Sequence, residues 1–291
     1  MGYVVVVVQT LLFLFLFKFS SSSFSSSSSF SRCQSMEQLL IDAVVAGDAA
    51  LVREILRGHP TVDVNSKGAL GRSPLSWACE HGFEAIVALL LAHPGIAPNP
   101  TNLSGTNAFW VACNYGKTSC VRVLLDDPRV VTDVTDFLGH PSIWAAVCNG
   151  HQDVIKWWIA SGRTMGLGDP LNWRTNALGV AKKMGMTDMG ALLEEFDKNP
   201  VETRAGMRLE LGWYDEVAAG VFALVVFVSD GLLQVTLGDQ STTAAARFFR
   251  IATQLPLELQ MVLCYRVPGS LKEALPKRNS EAAFKTLATR I

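Results

Sequence analysis

The amino-acid sequence predicts an all-α protein, a helix-turn-helix solenoid of about five stacked units followed by a small helical C-terminal domain. Three observations carry this. Gly47, Gly82, Gly116, Gly150 and Gly185 recur at intervals of 35, 34, 34 and 35 residues, each between a short apolar run and a longer one. An alanine stands four residues before each of them, at Ala43, Ala78, Ala112, Ala146 and Ala181. After each break, apolar residues fall at plus four, five, seven, eight and nine, which keeps one helical stripe buried over two turns. Self-similarity at a period of roughly 20 to 50 residues marks units that bury their apolar faces only by stacking.

In chain order, residues 1–35 come first, an apolar stretch "YVVVVVQTLLFLFLF" and then a serine-rich one, "KFSSSSFSSSSSFS". Lys18 follows the apolar run instead of preceding it, unlike a secretory signal. The run is also shorter than the roughly twenty residues of a membrane span. The segment reads as low-complexity sequence. It is either a gene-model artefact ahead of initiation at Met36, absent from the mature protein, or a genuine signal or membrane anchor.

Residues 36–198 form the repeat domain. The stripe is Ile86, Val87, Leu89, Leu90 and Leu91 in the second unit, and Cys120, Val121, Val123, Leu124 and Leu125 in the third. In the fourth it is Val154, Ile155, Trp157, Trp158 and Ile159. Glu54 interrupts the first unit, and Gly190 and Glu194 the last, as terminal repeats tend to be atypical. Pro60, Pro94 and Pro128 close the second helices of the first three units. Gly71, Gly105 and Gly139 stand eleven residues before the middle breaks, in Gly-, Asn- and Asp-rich stretches that read as turns. Each unit is therefore helix, break, helix, finger.

This arrangement resembles the ankyrin repeat, whose first helix usually opens T-P-L-H. "SPLS" at 73–76 is close, and "VDVN" at 62–65 is similar to the family's finger. "NAFW" at 107–110, "PSIW" at 141–144 and "NALG" at 176–179 replace the histidine with Trp110, Trp144 and Gly179. These departures put the usual histidine hydrogen bonds between units in doubt. They leave the stack intact, since each unit buries about five large side chains at roughly 1.5 to 3 kcal/mol apiece.

Residues 199–291 lose the period and read as a helical C-terminal domain. Asn199, Pro200 and Glu202 mark a helix start. "VAAGVFALVVFV" at 217–228 reads as a buried core helix, too short for a span. "TAAARFFRIATQL" and "LPLELQMVLCYRV" have helical spacing, "PGSLKEALPKRN" reads as a loop, and Ser280 as the cap of a last helix. "LPLEL" at 255–259, with Val262 and Leu263, weakly resembles the opening of an F-box, a module that docks on ubiquitin-ligase adaptors. The plainer reading puts these leucines in the local core.

A net charge of −1, from 25 basic and 26 acidic residues, gives no electrostatic case for nucleic acid or an acidic membrane surface. The six cysteines lack zinc-site spacings and read as small buried hydrophobes in a reducing, cytoplasmic or nuclear compartment. "NYGKT" at 114–118 lacks the leading glycine of a phosphate loop, which is Val111 here, and "GRTMGLGDP" lacks the dinucleotide register. No GxSxG or HExxH occurs. The expectation is a non-enzymatic protein-binding scaffold with no cofactor, metal or small-molecule substrate. A membrane association would follow only from a genuine N-terminal segment. An enzyme in the tail would need a polar pocket lined by titratable residues.

A solenoid of this kind presents finger tips and first helices on one concave face. Residues there that the stack does not consume are the contact candidates: Arg72, Glu80 and His81; Thr106, Asn114 and Tyr115; Phe137, His140 and Asn149; Trp173 and Lys183. Tyr115, Phe137 and Trp173 rank first because aromatic anchors dominate interface energetics. Trp110, Trp144, Trp157 and Trp158 are assigned to the core.

Overall fold

A computed structural model describes residues 35–169, 171–172, 174, 176–232, 244–268 and 277–288. The N-terminal segment 1–34 and candidate Trp173 lie outside them. The chain divides into two compact units between Met207 and Arg208.

The first unit is a run of short helix pairs: α1 (Met36–Ala46) and α2 (Ala49–Gly58), α3 (Pro74–His81) and α4 (Glu84–Leu91), α5 (Ala108–Asn114) and α6 (Thr118–Asp126), α7 (Ser142–Cys148) and α8 (Gln152–Ser161), α9 (Ala177–Lys183) and α10 (Thr187–Lys198). The first helices pack on one another in the row α1, α3, α5, α7, α9, and second helices in the row α2, α4, α6, α8. Ala78, Ala112, Ala146 and Ala181 are fully buried between the rows, and Ala43 nearly so. This is an all-α repeat solenoid.

Each pair starts and turns for local reasons. Ser73, Asn107 and Asn176 accept hydrogen bonds from Ser76 N, Trp110 N and Gly179 N, which satisfies free amides at the helix start. Pro141 stands in the same place without a cap, and the neighbouring Ser142 hydroxyl instead donates to the carbonyls of Thr132 and Val134. All five break glycines adopt positive φ, between 63° and 83°, where a Cβ meets the following carbonyl.

The stripe is buried in four of its five places. At plus four, five, eight and nine the middle units bury every side chain, whereas Leu89, Val123 and Trp157 at plus seven are half-exposed. At about 100° per residue, the four buried positions span one arc, and plus seven falls about 130° from its centre. Trp157 uses its open face to stack beneath the Arg122 guanidinium at 3.9 Å.

Three ladders with the period of the repeat tie unit to unit. The residue after each of the three middle breaks covers the preceding break glycine: Phe83 over Gly47, Lys117 over Gly82 and His151 over Gly116. A Cβ on Gly47 would stand 2.7 Å from the Phe83 ring, and one on Gly116 would clash with the His151 ring. Asn65 donates to Gly95 O (2.8 Å) and accepts from Ala97 N (2.7 Å), and Asn99 repeats this with Arg129 O and Val131 N at the same distances. Arg129 reaches back to Leu91 O at 2.7 Å, and Arg163 to the carbonyls of Asp127 and Val130. Each guanidinium thus neutralises the negative end of the preceding second helix.

In the second unit, α12 (Trp213–Ser229) packs against α14 (Leu257–Arg266) and α15 (Lys277–Ala288). Val221, Phe222 and Val225 meet Phe249 and Ala252 of α13 (Ala244–Ala252), and Cys264. Helix α11 (Pro200–Glu210) begins at the expected proline, and its residues up to Met207 belong to the first unit. The last helix starts at Lys277, so Ser280 lies inside it and does not cap it. No single helix among the described residues is long and apolar enough to cross a membrane; α11 and α12 reach that length only as a pair bent by 67°.

Gly116→Ala is expected to cost about 2 to 3 kcal/mol, combining left-handed strain with displacement of His151. Gly150→Ala, with open space around it, should cost about 1 to 2 kcal/mol. Equal losses of stability in urea titrations of the two variants would remove the packing role assigned to the covered glycine.

Candidate protein-binding surface

The fingers between the helix pairs end in closely similar turns. Asn102 Oδ1 accepts from Ser104 N and Thr106 N, and Asp136 Oδ1 from Leu138 N and His140 N, at 2.8 to 3.1 Å. Backbone bonds close the turns, from Gly68 N to Arg72 O, Asn102 N to Thr106 O and Asp136 N to His140 O. Gly71, Gly105 and Gly139 complete them at positive φ. Successive fingers are joined tip to tip, Leu103 N donating to Leu70 O and Phe137 N to Ser104 O. Leu103 lies on Gly71 and Phe137 on Gly105.

These turns hold large apolar side chains in solvent. Leu70 is 61% exposed, Leu103 70%, Phe137 76%, Leu138 76% and Leu171 95%. Leu70 is also the one non-glycine at positive φ among the described residues, at 61°, a conformation costing roughly 1 to 2 kcal/mol for a residue with a Cβ. A row of exposed apolar side chains on successive fingers marks an interaction site more often than an isolated exposed leucine does.

The other candidates divide into exposed residues and internal scaffolding. Tyr115 and His81 are exposed; His81 stacks on Trp77 and tilts against Phe83. Arg72 is half-buried, paired with Glu80 and lying over the Trp77 ring at 4.8 Å. His140 pairs with Asp136 at 2.9 Å and stacks on Trp144 at 3.9 Å, which fastens the third tip to α7. Asn149 donates to Asn114 Oδ1 across units at 3.1 Å. Lys183 is exposed on α9. Thr106 departs from the expectation of a contact residue. It is 2% exposed because its backbone closes the Asn102 turn and the chain then enters α5.

Of the tryptophans assigned to the core, Trp158 is buried edge-on to Phe109, while Trp110, Trp144 and Trp157 are half-buried. Trp110 restores an inter-unit hydrogen bond at the departed histidine position, its Nε1 donating to His140 O at 3.2 Å. Leu70, Leu103, Leu138 and Leu171 escaped the sequence reading, although a leucine or phenylalanine recurs at 103, 137 and 171 with the period of the repeat.

Among the described residues no group of three or more His, Cys, Asp or Glu side chains could hold a metal ion. Cys79, Cys113, Cys120, Cys148 and Cys264 are free thiols, and burial pushes Cys264 up to about 12. In the C-terminal unit the buried Tyr265 hydroxyl donates to Asp215 Oδ1 at 3.0 Å. Burial and that carboxylate raise the phenol well above its ordinary range, and the bond ties α14 to α12.

Residues 40–136 match the family model for ankyrin repeats, in three copies. The three repeats within those residues are ankyrin repeats, an architecture that supports protein–protein interaction. No curated protein matches the chain.

Leu70→Gly should relieve the left-handed strain and leave stability unchanged or raised by up to about 1 kcal/mol, the chain-entropy loss offsetting part of the gain. A clearly lowered thermal midpoint would show that the leucine serves the fold instead of the surface.

Proposed function

We propose that this chain is a non-enzymatic scaffold that binds a protein partner through its finger tips and the adjoining first-helix surface. The observation that carries the reading is the row of exposed apolar tips on turns braced by internal hydrogen bonds. Tyr115 and His81 extend the surface toward the first helices. The cysteines built into the apolar core suit a reducing compartment, and a cytoplasmic or nuclear location belongs to the same reading.

Affinity capture with mass spectrometry tests it. Burying Phe137 and Leu138 contributes roughly 1.5 to 3 kcal/mol each, so Phe137→Ser with Leu138→Ser should weaken recovery of the partner by tenfold or more. Undiminished recovery by a folded double variant rejects the tips as the contact.

A second reading, a substrate adaptor for a ubiquitin ligase, rests on Leu257 and Leu259 of the F-box-like stretch. They are 53% and 51% exposed on the first turn of α14, available for docking instead of buried in the local core. It requires co-purification of a ligase adaptor that Leu257→Ser with Leu259→Ser abolishes. Absence of such an adaptor from the wild-type capture sets that reading aside.

A further inference from the structure

We infer that the joint between the first two fingers is pH-sensitive: the neutral imidazole of His93 fastens the turn that Asn65 clamps, and protonating the ring releases it. This goes beyond the binding reading and is independent of what the surface contacts.

His93 follows the end of α4, and its Nδ1 accepts from Gly95 N at 3.1 Å. The same turn presents Gly95 O to Asn65 Nδ2 and Ala97 N to Asn65 Oδ1, at 2.8 and 2.7 Å. The side chain that ties the first finger to the second therefore grips a turn whose own amide is held by the ring. One repeat on, 34 residues away, the next joint follows the same plan with a different acceptor. Asp127 Oδ1 accepts from Arg129 N at 2.9 Å, and Arg129 O and Val131 N meet Asn99. A carboxylate accepts in its charged form, whereas an imidazole nitrogen accepts only while it carries no proton. A charged His93 turns an N–H toward the N–H of Gly95, so the ring has to leave the turn.

The direction follows from burial. His93 is half-buried, and burial lowers its pKa below the ordinary imidazole value of about 6.5. The folded chain takes up this proton less readily than the unfolded one. The ring's contribution to stability is thus fully present above about pH 6.5 and is lost as pH falls through the lower folded value. The neighbouring elements carry Arg57 and His59 at the end of α2, Asp63 on the first finger, Arg72 with Glu80 on α3, and Asp126 at the end of α6. Arg129, paired with Asp127, donates to Leu91 O two residues before the ring. Among the described residues none of these groups forms an ion pair with His93, and burial remains the cause of its shift.

Residue-resolved amide exchange on the full chain tests this, because each joint carries its own reporter. Ala97 N bonds to Asn65 Oδ1 at the first joint, and Val131 N to Asn99 Oδ1 at the second. Between about pH 8 and about pH 5, the protection of Ala97, corrected for the intrinsic exchange rate, should fall about fivefold or more, the scale of one hydrogen bond. Val131 should hold its protection over the same interval. The midpoint of the Ala97 change should match the ring titration of His93 followed by NMR. His93→Asn supplies an acceptor that does not titrate and should keep Ala97 protected at both ends of the range. His93→Ala, with no acceptor, should leave it weakly protected at both. His93→Asp, which copies the acceptor of the next repeat, is read like the asparagine variant and takes its place if that variant does not fold. Ala97 protection that stays constant in the wild type, a fall shared equally with Val131, or a fall that persists in His93→Asn overturns the inference. So does a His93 ring that titrates above the ordinary imidazole value.

Discussion

Everything in the repeat domain depends on how closely one hairpin can approach the next. A pair of helices only seven to twelve residues long cannot bury its own apolar faces, so cohesion must come from its neighbours. The approach is set where a side chain is missing. Phe83, Lys117 and His151 each occupy space that a Cβ on the preceding break glycine would take. The same glycines make the left-handed turn that sends the second helix back along the first. One residue type therefore satisfies a backbone demand and a packing demand together.

That coincidence explains why the repeats were legible in sequence. Backbone handedness acts locally and leaves glycine as its trace, and burial on a helix leaves an arc of apolar residues. The five glycines, the alanines four residues before them and the stripe accordingly fell where the pattern put them. The half-exposed residue at plus seven was counted as core although geometry places it outside the arc, and Trp110 and Trp144 were counted as core and are half-buried. The ladders were harder to see. Asn65, Asn99, Arg129 and Arg163 bond to backbone atoms 30 or more residues away, and a carbonyl has no letter in a sequence. Only their own recurrence could have hinted at them.

The surface was partly legible for a related reason. Phe137 was picked out as an aromatic in a loop, but leucines in loops carry no such flag, and their exposure follows from turn geometry. Thr106 looked like a loop residue and proved to be part of the turn's foundation. His140, Asp136 and Trp144 show the intermediate case, polar and aromatic groups whose task is to brace a neighbouring tip. Beyond the repeats, without a period to align against, the starts marked by Pro200 and Pro256 were legible, whereas the last helix begins before the Ser280 that was read as its cap. The pairing of Asp215 with Tyr265 spans 50 residues and is a tertiary fact.

The asparagine ladder also ends in a way that matters for load. The next place in its register is Asp133, whose carboxylate lies against Gly166 and has no proton to donate to a backbone carbonyl. The first three hairpins are thus laced by paired clamps, whereas the fourth finger is tied to the third by Arg163 and by the Thr132 hydroxyl, which donates to Thr164 O at 3.1 Å. A partner tugging on the fingers would therefore load two kinds of fastening, paired amide clamps on the first three tips and a guanidinium with a hydroxyl beyond them.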